Sequence, residues 1–301
     1  MLDVRRLRVL RELAARGTVA ATAEALGYTP PAVSQQLASL EREAGVALLE
    51  RNGRLRRLTP AGEELVAHTE AVLTALEAAE AALERVTTTV AGTVRLAAIN
   101  SIQNRLLPQM LGTLAARHPD LRLTTRELEP ADSLPALKLG ELDVALAAEY
   151  DFAPIEPDPA LERHVLAEDP NRLAVPAAHP AAAEPPGSVP IEELAAGPWI
   201  AGREGTFCHA TVINTCRRAG VEPDVVHRTN DFDVSYALVA AGAGIAIVPD
   251  LAGSPPPGVA LVEPAGGLPG RRLFAAVRTG AVERPAVAAV LDELSSTARR
   301  R

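Results

Sequence analysis

Residues 18–58 constrain the fold of this chain most strongly, because they predict two short helices followed by a basic hairpin. An alanine-rich run favours the first helix, and Gly27 directly after it suits a left-handed C-terminal cap. Thr29 can cap the second helix, whose first turn tolerates Pro30 and Pro31 because a missing N–H costs no hydrogen bond there. Since proline disfavours α geometry at the preceding residue, the regular helix is expected to begin at Pro31.

The second of these helices has one apolar and one polar face. Val33, Leu37 and Leu40 recur at helical spacing and predict the buried face. The opposite face carries short, uncharged polar side chains, which can bind base edges and phosphates in a major groove. A small three-helix bundle with a solvated face fits this pattern equally well. The candidate DNA-binding residues here are Thr29, Pro31, Ser34, Gln35, Gln36 and Ser39.

The hairpin that follows is strongly basic. Its turn, Asn52-Gly53, suits a type I′ hairpin. Up to Gly62 the chain has ten arginines against six acids, a net of +4, whereas the whole chain carries −8. Four arginines on one small loop favour a phosphate clamp over a solvated tip. These candidate DNA-binding residues are Arg51, Arg54, Arg56 and Arg57.

This segment resembles the winged helix-turn-helix of LysR-type transcriptional regulators. The matching positions are residues 23–26, 31–41, Gly45, Leu48 or Leu49, Arg51 and 58–62. Many members carry arginine directly after the serine of the recognition helix, where this chain has Gln35, and the departure bears on base preference. The resemblance implies a regulator that binds an inverted repeat in double-stranded promoter DNA. We therefore expect residues 1–58 to form a winged helix-turn-helix domain.

A long helix is predicted after the hairpin, within a linker segment at 59–89. Thr59 caps it, Pro60 opens it, and at 1.5 Å per residue it would be about 40 Å long. Its apolar residues have the spacing of a coiled-coil seam, which one helix cannot bury alone, so we expect a homodimer through this helix. Docking onto its own C-terminal domain is the alternative. The seam comprises Leu65, Val72, Leu76, Ala79, Leu83 and Val86, and residues 87–93 after it predict a hinge.

Residues 90–301 alternate between short apolar strands and helices. A βαβαβ pattern over 94–147 predicts a parallel sheet covered by helices, and a second round follows over 166–248. The LysR resemblance implies a periplasmic-binding-protein-like α/β effector-binding domain of two subdomains. We expect subdomain I at about 94–165 and 271–301, and subdomain II at about 166–270.

Ligands of open α/β sheets bind beyond the carboxyl ends of the strands. The loops at those ends contain the candidate effector-binding residues Asn100, Ser101, Ile102, Glu127, Tyr150, Phe152, Gly202, Arg203, Thr206, Phe207, Asn230 and Phe232. Six of the eight aromatic residues lie in or beside these loops, which favours an aromatic wall. The hydroxyls of Ser101 and Thr206, with Arg203 as counter-charge, would suit an anionic or aromatic small-molecule effector. Ordinary core aromatics and a solvated Arg203 are the alternative.

Three other functions compete with an effector-binding regulator. An architectural DNA-binding protein without an effector is disfavoured, because residues 90–301 would then be an α/β domain without a role. Some LysR-type proteins sense peroxide through paired cysteines, and Cys208 could have a lowered pKa near a helix N-terminus beside His209. Cys216 would lie about 12 Å away on the same helix, beyond disulfide reach. An enzyme is disfavoured because the histidine, cysteine and glycine spacings of common metal, nucleophile and phosphate sites do not occur. We expect no catalytic residues, no cofactor and no metal.

The remaining sequence features concern location and assembly. The chain starts with a charged stretch instead of an apolar signal segment, and its longest apolar run, at 236–249, is too short and too rich in glycine to span a bilayer. Two cysteines and no secretory segment are typical of the cytoplasm. The LysR resemblance further implies a homotetramer that bends promoter DNA, with RNA polymerase as a further partner and no membrane contact.

Overall fold

The structure is a computed structural model that describes residues 1–52, 55–86 and 90–300. The chain divides into two compact units. Unit 1 comprises Met1–Thr89 and Arg278–Arg284, and unit 2 comprises Val90–Val277 and Pro285–Arg301. Where the sequence placed all of 271–301 in the effector domain, the structure groups Arg278–Arg284 with unit 1.

Unit 1 begins with three helices and a two-stranded hairpin. The elements are α1 Val4–Arg16, α2 Val19–Leu26, α3 Pro30–Ala44, β1 Leu49–Asn52, β2 Leu55–Leu58 and α4 Pro60–Val86. The predicted end of α2 at Leu26 is confirmed, because Gly27 caps it with a φ of 66°. Thr29 caps α3 as predicted, its hydroxyl accepting the Ala32 N–H, but the helix begins at Pro30 and not at Pro31.

The core of unit 1 forms between α1 and α3. Val33, Leu37 and Leu40 of α3 are fully buried, as their spacing predicted, and they pack with Leu7 and Leu10 of α1. The strands β1 and β2 pair antiparallel, which confirms the hairpin. Its turn at residues 53 and 54 lies outside the described residues, so the predicted type I′ geometry and Arg54 fall outside them as well. The side chain of Arg51 also lies outside the described part of the chain.

The helix α4 is 27 residues long, and most of its predicted seam is exposed. Leu83 and Val86 are 72% and 80% exposed. The segment Arg278–Arg284 packs against residues of α4 that do not belong to the seam. Arg278 forms a 2.6 Å ion pair with Glu77. A Cβ added at Gly280 would lie 2.3 Å from the carbonyl oxygen of Thr74, so this contact requires glycine. Residues 87–89 of the predicted hinge lie outside the described residues, and Gly92 of that hinge instead begins a strand.

Unit 2 is an α/β structure with two five-stranded sheets. Its strands are β3 Gly92–Ala98, β4 Leu121–Glu127, β5 Val144–Tyr150, β6 Leu161–Asp169, β7 Asn171–Pro176, β8 Pro198–Ala201, β9 Asp224–Arg228, β10 Ile245–Pro249, β11 Val259–Val262 and β12 Arg271–Arg278. Its helices are α5 Asn100–Arg105, α6 Leu107–Arg117, α7 Pro130–Lys138, α8 Ile191–Leu194, α9 Phe207–Arg218, α10 Phe232–Ala240 and α11 Pro285–Arg299. The helices α5 and α6 are separated by a single residue, Leu106.

The first sheet has the order β4-β3-β5-β12-β6, and the second has the order β11-β7-β10-β8-β9. The strands β4, β3 and β5 are parallel, which confirms the sheet predicted from the βαβαβ pattern. In the second sheet β8 is parallel to both β9 and β10, whereas β7 is antiparallel to β10. The strand β11, which the sequence did not predict, is short and lies at a sheet edge after three prolines. The two sheets correspond to the two predicted subdomains, although β6 keeps the chain in the first sheet to Asp169.

Candidate DNA-binding surface and ligand cavity

The predicted polar side chains on the outer face of α3 differ in their exposure to solvent. Pro31 and Gln35 are exposed, and Ser34 is half-buried. Gln36 accepts a hydrogen bond from Arg6 at 3.2 Å, and Ser39 accepts one from Arg42 at 2.8 Å. Ser34 and Gln35 make no side-chain hydrogen bond to another described residue. Both side chains therefore retain their full hydrogen-bonding capacity for an external partner.

The hairpin adds cations to the same unit. Arg57 is exposed and Arg56 is half-buried on β2. Neither forms an ion pair with a carboxylate in the described part of the chain. Guanidinium groups without acidic partners are suited to contact phosphate groups. Thr29, by contrast, uses its hydroxyl to cap α3, although its side chain remains on the exposed N-terminal turn.

A small cavity lies in unit 2 at the carboxyl ends of the parallel strands of both sheets, the location that the fold class predicts. Its volume is about 20 Å³, enough for one water-sized group. It is lined by Ile99, Asn100, Ser101, Glu129, Pro130, Ala148, Tyr150, Phe207, Cys208, Asn230, Phe232 and Arg271.

Six of the twelve candidate effector-binding residues line this cavity: Asn100, Ser101, Tyr150, Phe207, Asn230 and Phe232. They come from loops of both sheets, as the sequence analysis expected. The rings of Tyr150 and Phe207 stack with centroids 5.5 Å apart. Two other aromatic residues near those loops, Trp199 on β8 and Tyr236 on α10, are buried in the cores beside the second sheet.

The other six candidates do not line the cavity. Ile102 is buried in the core, Glu127 is exposed at the end of β4, and Phe152 lines a separate cavity of about 420 Å³. Gly202 serves packing: a Cβ added there would lie 2.6 Å from the Cβ of Cys208.

The two residues proposed to bind a carboxylate beside Ser101 have other roles. Thr206 donates a hydrogen bond to the carbonyl oxygen of Arg203 at 2.7 Å and caps α9 by accepting the His209 N–H. The side chain of Arg203 is exposed outside the cavity lining. Arg203 was predicted to supply the positive charge of the cavity, but a different arginine lines it.

Arg271, at the start of β12, is the cation of the cavity. Its side chain is 1% exposed. The guanidinium donates to Asp169 at 2.7 Å, to Ser101 Oγ at 2.9 Å and to the Tyr150 hydroxyl at 3.4 Å. Arg271 is not among the candidate residues that the sequence predicted. Two adjacent arginines directly before the apolar run of residues 273–277 were the available signal.

Glu129 also lines the cavity, and Asn230 holds it in place. The Asn230 side-chain oxygen accepts the Arg203 backbone N–H at 2.8 Å, so its amide nitrogen points to Glu129, to which it donates at 2.7 Å. This bond joins a loop of the first sheet to a loop of the second. Burial raises the pKa of Glu129 above its usual value, and the hydrogen bond from Asn230 opposes that rise.

The cysteines differ from expectation in their acidity. Burial raises the pKa of Cys208, although the residue lies at the N-terminal turn of α9, because removal from water disfavours the thiolate. Its sulfur lies 3.6 Å from the Tyr150 hydroxyl. Cys216 is fully buried on the same helix, and burial raises its pKa to about 11. Both cysteines are free thiols.

Two further properties concern membranes and metals. Within the described residues, no helix combines the length and the apolar character needed to cross a membrane. The same residues contain no group of three or more histidine, cysteine, aspartate or glutamate side chains that could hold a metal ion.

Comparison with known proteins accounts for both units. Residues 4–63 match the family model of the bacterial regulatory helix-turn-helix protein of the lysR family, and residues 87–299 match the LysR substrate binding domain. A probable hydrogen peroxide-inducible genes activator of Mycobacterium leprae is 30% identical over 298 residues, covering 97% of this chain and 94% of that protein.

Solved structures show the same fold. A full-length OxyR variant from Pseudomonas aeruginosa superposes with a TM-score of 0.67 at 23% identity, covering 98% of each chain. Full-length CbnR in complex with its target DNA has a TM-score of 0.55 at 22% identity, covering 98% of this chain and all of that one. With both family models matched in order along its length, the chain belongs to the LysR-type transcriptional regulators, with an N-terminal DNA-binding domain and an effector-binding domain.

Proposed function

We propose that this regulator binds a promoter inverted repeat as a homodimer and that a small molecule in the unit 2 cavity modulates the binding. The observation that carries the proposal is that unit 1 leaves two surfaces without partners in the described residues. One comprises Ser34 and Gln35 on the polar face of α3 with Arg56 and Arg57 of β2, and the other is the apolar seam of α4.

The α3 surface has the chemistry of a major-groove reader. Gln35 can form two hydrogen bonds to an adenine, Ser34 can bind a base edge or a phosphate, and Pro31 can contact a thymine methyl group. Arg56 and Arg57 would hold the phosphate backbone beside the groove and fix the position of α3 without reading sequence. Arg51 and Arg54 belong to the same proposal by their place in the hairpin sequence.

The exposed apolar seam of α4 supports the homodimer. Val72, Leu76, Leu83 and Val86 are all more than 40% exposed in the single chain. A second copy of α4 would bury them by coiled-coil packing. A symmetric dimer then requires two half-sites related by a dyad. Family membership supports the further steps of the proposal: two dimers form a tetramer that bends promoter DNA in the cytoplasm and contacts RNA polymerase.

The cavity supports effector control because residues of both sheets line it. A ligand that binds better to one arrangement of the two sheets shifts the population toward that arrangement. Such a shift needs binding but no catalysis. The residues that line the cavity would therefore hold a ligand, and the proposal gives them no part in a reaction.

Sequencing the genomic DNA fragments that the purified protein retains at physiological salt tests the DNA-binding part. We expect enrichment of an inverted repeat, and a divergently transcribed neighbouring gene would suggest the pathway of the effector. Retention of fragments without a shared dyad motif would contradict the proposal, since the basic hairpin would then bind DNA without specificity.

Sedimentation of Leu83→Glu tests the dimer. Two glutamates facing each other in an apolar seam should shift the protein from dimer toward monomer, whereas the chain's own fold should hold because Leu83 is 72% exposed. Leu111→Glu is the matched control, because Leu111 is also an exposed leucine on a helix but lies on α6. A dimer that persists unchanged in Leu83→Glu would rule out the α4 seam.

A thiol-based redox sensor is the second candidate, favoured by the position of Cys208 in the cavity lining. Peroxide would oxidise Cys208 and Cys216 to a disulfide, with loss of two hydrogens and formation of water. The raised pKa values of both thiols and their separation along α9 oppose this reaction. A peroxide-dependent mass loss of two hydrogens in the wild type, absent in Cys208→Ser, would establish it.

A further inference from the structure

The one buried cation of the cavity is already neutralised by the protein itself. Arg271 donates to Asp169 through both Nε and Nη2, at 2.8 and 2.7 Å. The other oxygen of Asp169 accepts the Leu251 backbone N–H at 2.8 Å, so this carboxylate is fixed in place. An anionic ligand would have to displace Asp169 from a pair that is nearly inaccessible to water, which would leave the aspartate charge unpaired.

Glu129 is the charged group of the lining that keeps binding capacity. One of its oxygens, Oε1, accepts the hydrogen bond from Asn230. The positive charges of Arg203 and Arg271 act on this carboxylate, but its other oxygen has no hydrogen-bond partner in the part of the chain that the structure describes. A partly desolvated carboxylate oxygen accepts hydrogen bonds and attracts positive charge.

The rest of the wall suits the same kind of group. The rings of Tyr150, Phe207 and Phe232 belong to the same lining as Glu129, and the first two are stacked. Aromatic faces attract cations through the negative potential above the ring. Phe232 already accommodates one guanidinium, because the Arg271 carbon Cζ lies 5.9 Å from its ring centroid. A carboxylate among aromatic rings is a combination that recognises organic cations.

We propose that the cavity binds the primary ammonium head of a small organic cation, with Glu129 as its counter-ion and Tyr150 and Phe207 as its aromatic contacts. This inference rests on the proposed function and replaces the anionic effector expected from the sequence. A volume of about 20 Å³ fits an ammonium-sized head, so the remainder of such a ligand requires the two sheets to separate. Arg271 then positions Ser101 and Tyr150 and does not bind the ligand.

Cys208 provides a local reporter of occupancy, because its thiol lines the cavity and the second cysteine is fully buried. The full chain is treated with methyl methanethiosulfonate, and modification of Cys208 is followed by peptide mass spectrometry. Three probes of equal size are compared at matched ionic strength: propylammonium, 1-propanol and propionate. At about five times its dissociation constant, propylammonium should slow the modification about sixfold, and the other two probes should not.

Two isosteric variants assign the effect to one carboxylate. Glu129→Gln should abolish the protection by propylammonium, whereas Glu127→Gln, which changes an exposed carboxylate two residues away, should retain it. Fluorescence of Trp199, the single tryptophan, checks that each variant is folded. The unfolding temperature from the same signal is a second readout, which propylammonium should raise in the wild type.

The outcomes separate the two proposals. Protection by propionate, or protection by propylammonium that persists in Glu129→Gln, would overturn the ligand class and leave the cavity as the effector site. Absence of both protection and a rise in unfolding temperature with all three probes would overturn the cavity itself as a ligand site. The DNA-binding part of the proposed function would stand in either case, because the DNA fragments test it independently.

Discussion

The arginines of the β2 strand and Arg271 in unit 2 are the same side chain in opposite environments. Arg56 and Arg57 lie on a strand of a small hairpin and have no acidic partner among the described residues. Arg271 is 1% exposed and donates hydrogen bonds to Asp169, Ser101 and Tyr150. An unpaired, hydrated guanidinium is available to a phosphate, whereas a buried and fully paired one organises the protein around it.

This difference changes how positive charge should be interpreted in a regulator. A buried arginine at a ligand cavity suggests an anionic ligand only if its own carboxylate partner is absent. In this chain Asp169 supplies that partner from the end of the neighbouring strand, so the available charge of the cavity is the opposite one, on Glu129.

Arg271→Met should give the largest effect, a loss of about 3–5 kcal/mol in the stability of unit 2, because Asp169 would be left buried without its cation. Urea unfolding followed by Trp199 fluorescence measures this, since Trp199 is buried in the core of the second sheet. Arg272→Met is the matched control: the adjacent arginine is 44% exposed and pairs with Glu168 and Glu149 at the surface. Its removal should cost about 1 kcal/mol or less. Equal losses in the two variants would contradict the comparison.

The double variant Arg56→Ala, Arg57→Ala should weaken DNA binding to all sequences alike and lower the slope of log affinity against log salt by about 2. At 0.15 M salt this corresponds to roughly a 30-fold loss of affinity. Unfolding stability should change by less than about 0.5 kcal/mol, since neither side chain has an acidic partner to lose among the described residues. Fluorescence anisotropy across a salt series, with specific and unrelated DNA, provides the measurement. Loss confined to one base position would mean that the hairpin reads sequence.

Glu129→Gln should give the smallest effect on unfolding, a change in its pH dependence. Burial raises the pKa of Glu129 above 4.5, despite the opposing hydrogen bond from Asn230 and the charge of Arg203. The folded state therefore binds more protons than the unfolded state above pH 4.5, so this residue's contribution to stability is lost as pH rises through its folded pKa. Unfolding of the wild type and of Glu129→Gln at a series of pH values should show that loss in the wild type alone. Parallel curves would exclude a raised pKa at Glu129.

Much of the fold was predictable because it depends on neighbours in the chain. Gly27 ends α2 and Thr29 begins α3 through local caps, and the apolar spacing of Val33, Leu37 and Leu40 marks the buried face. The parallel strands of the first sheet followed from the alternation of strands and helices. The errors lie where a local signal is weak or ambiguous, as at β11 between short loops and at Gly92, a glycine that begins a strand.

The cavity was predictable only in part. Loops at the carboxyl ends of strands must meet at one edge of a sheet, which placed Asn100, Tyr150 and Asn230 correctly as neighbours. Which side chains of those loops point inward depends on packing, and this separates Phe207 in the lining from Arg203, whose side chain is exposed.

Local sequence patterns specify the helix-turn-helix, the basic hairpin, the apolar seam of α4 and the alternating elements of unit 2, because periodicity and caps act over a few residues. The charge of the cavity depends on contacts between distant parts of the chain. Arg271 meets Asp169 across 102 residues of chain and Ser101 across 170. No local pattern encodes such pairs, since they form only when distant strands have assembled and water has been excluded from the charges between them.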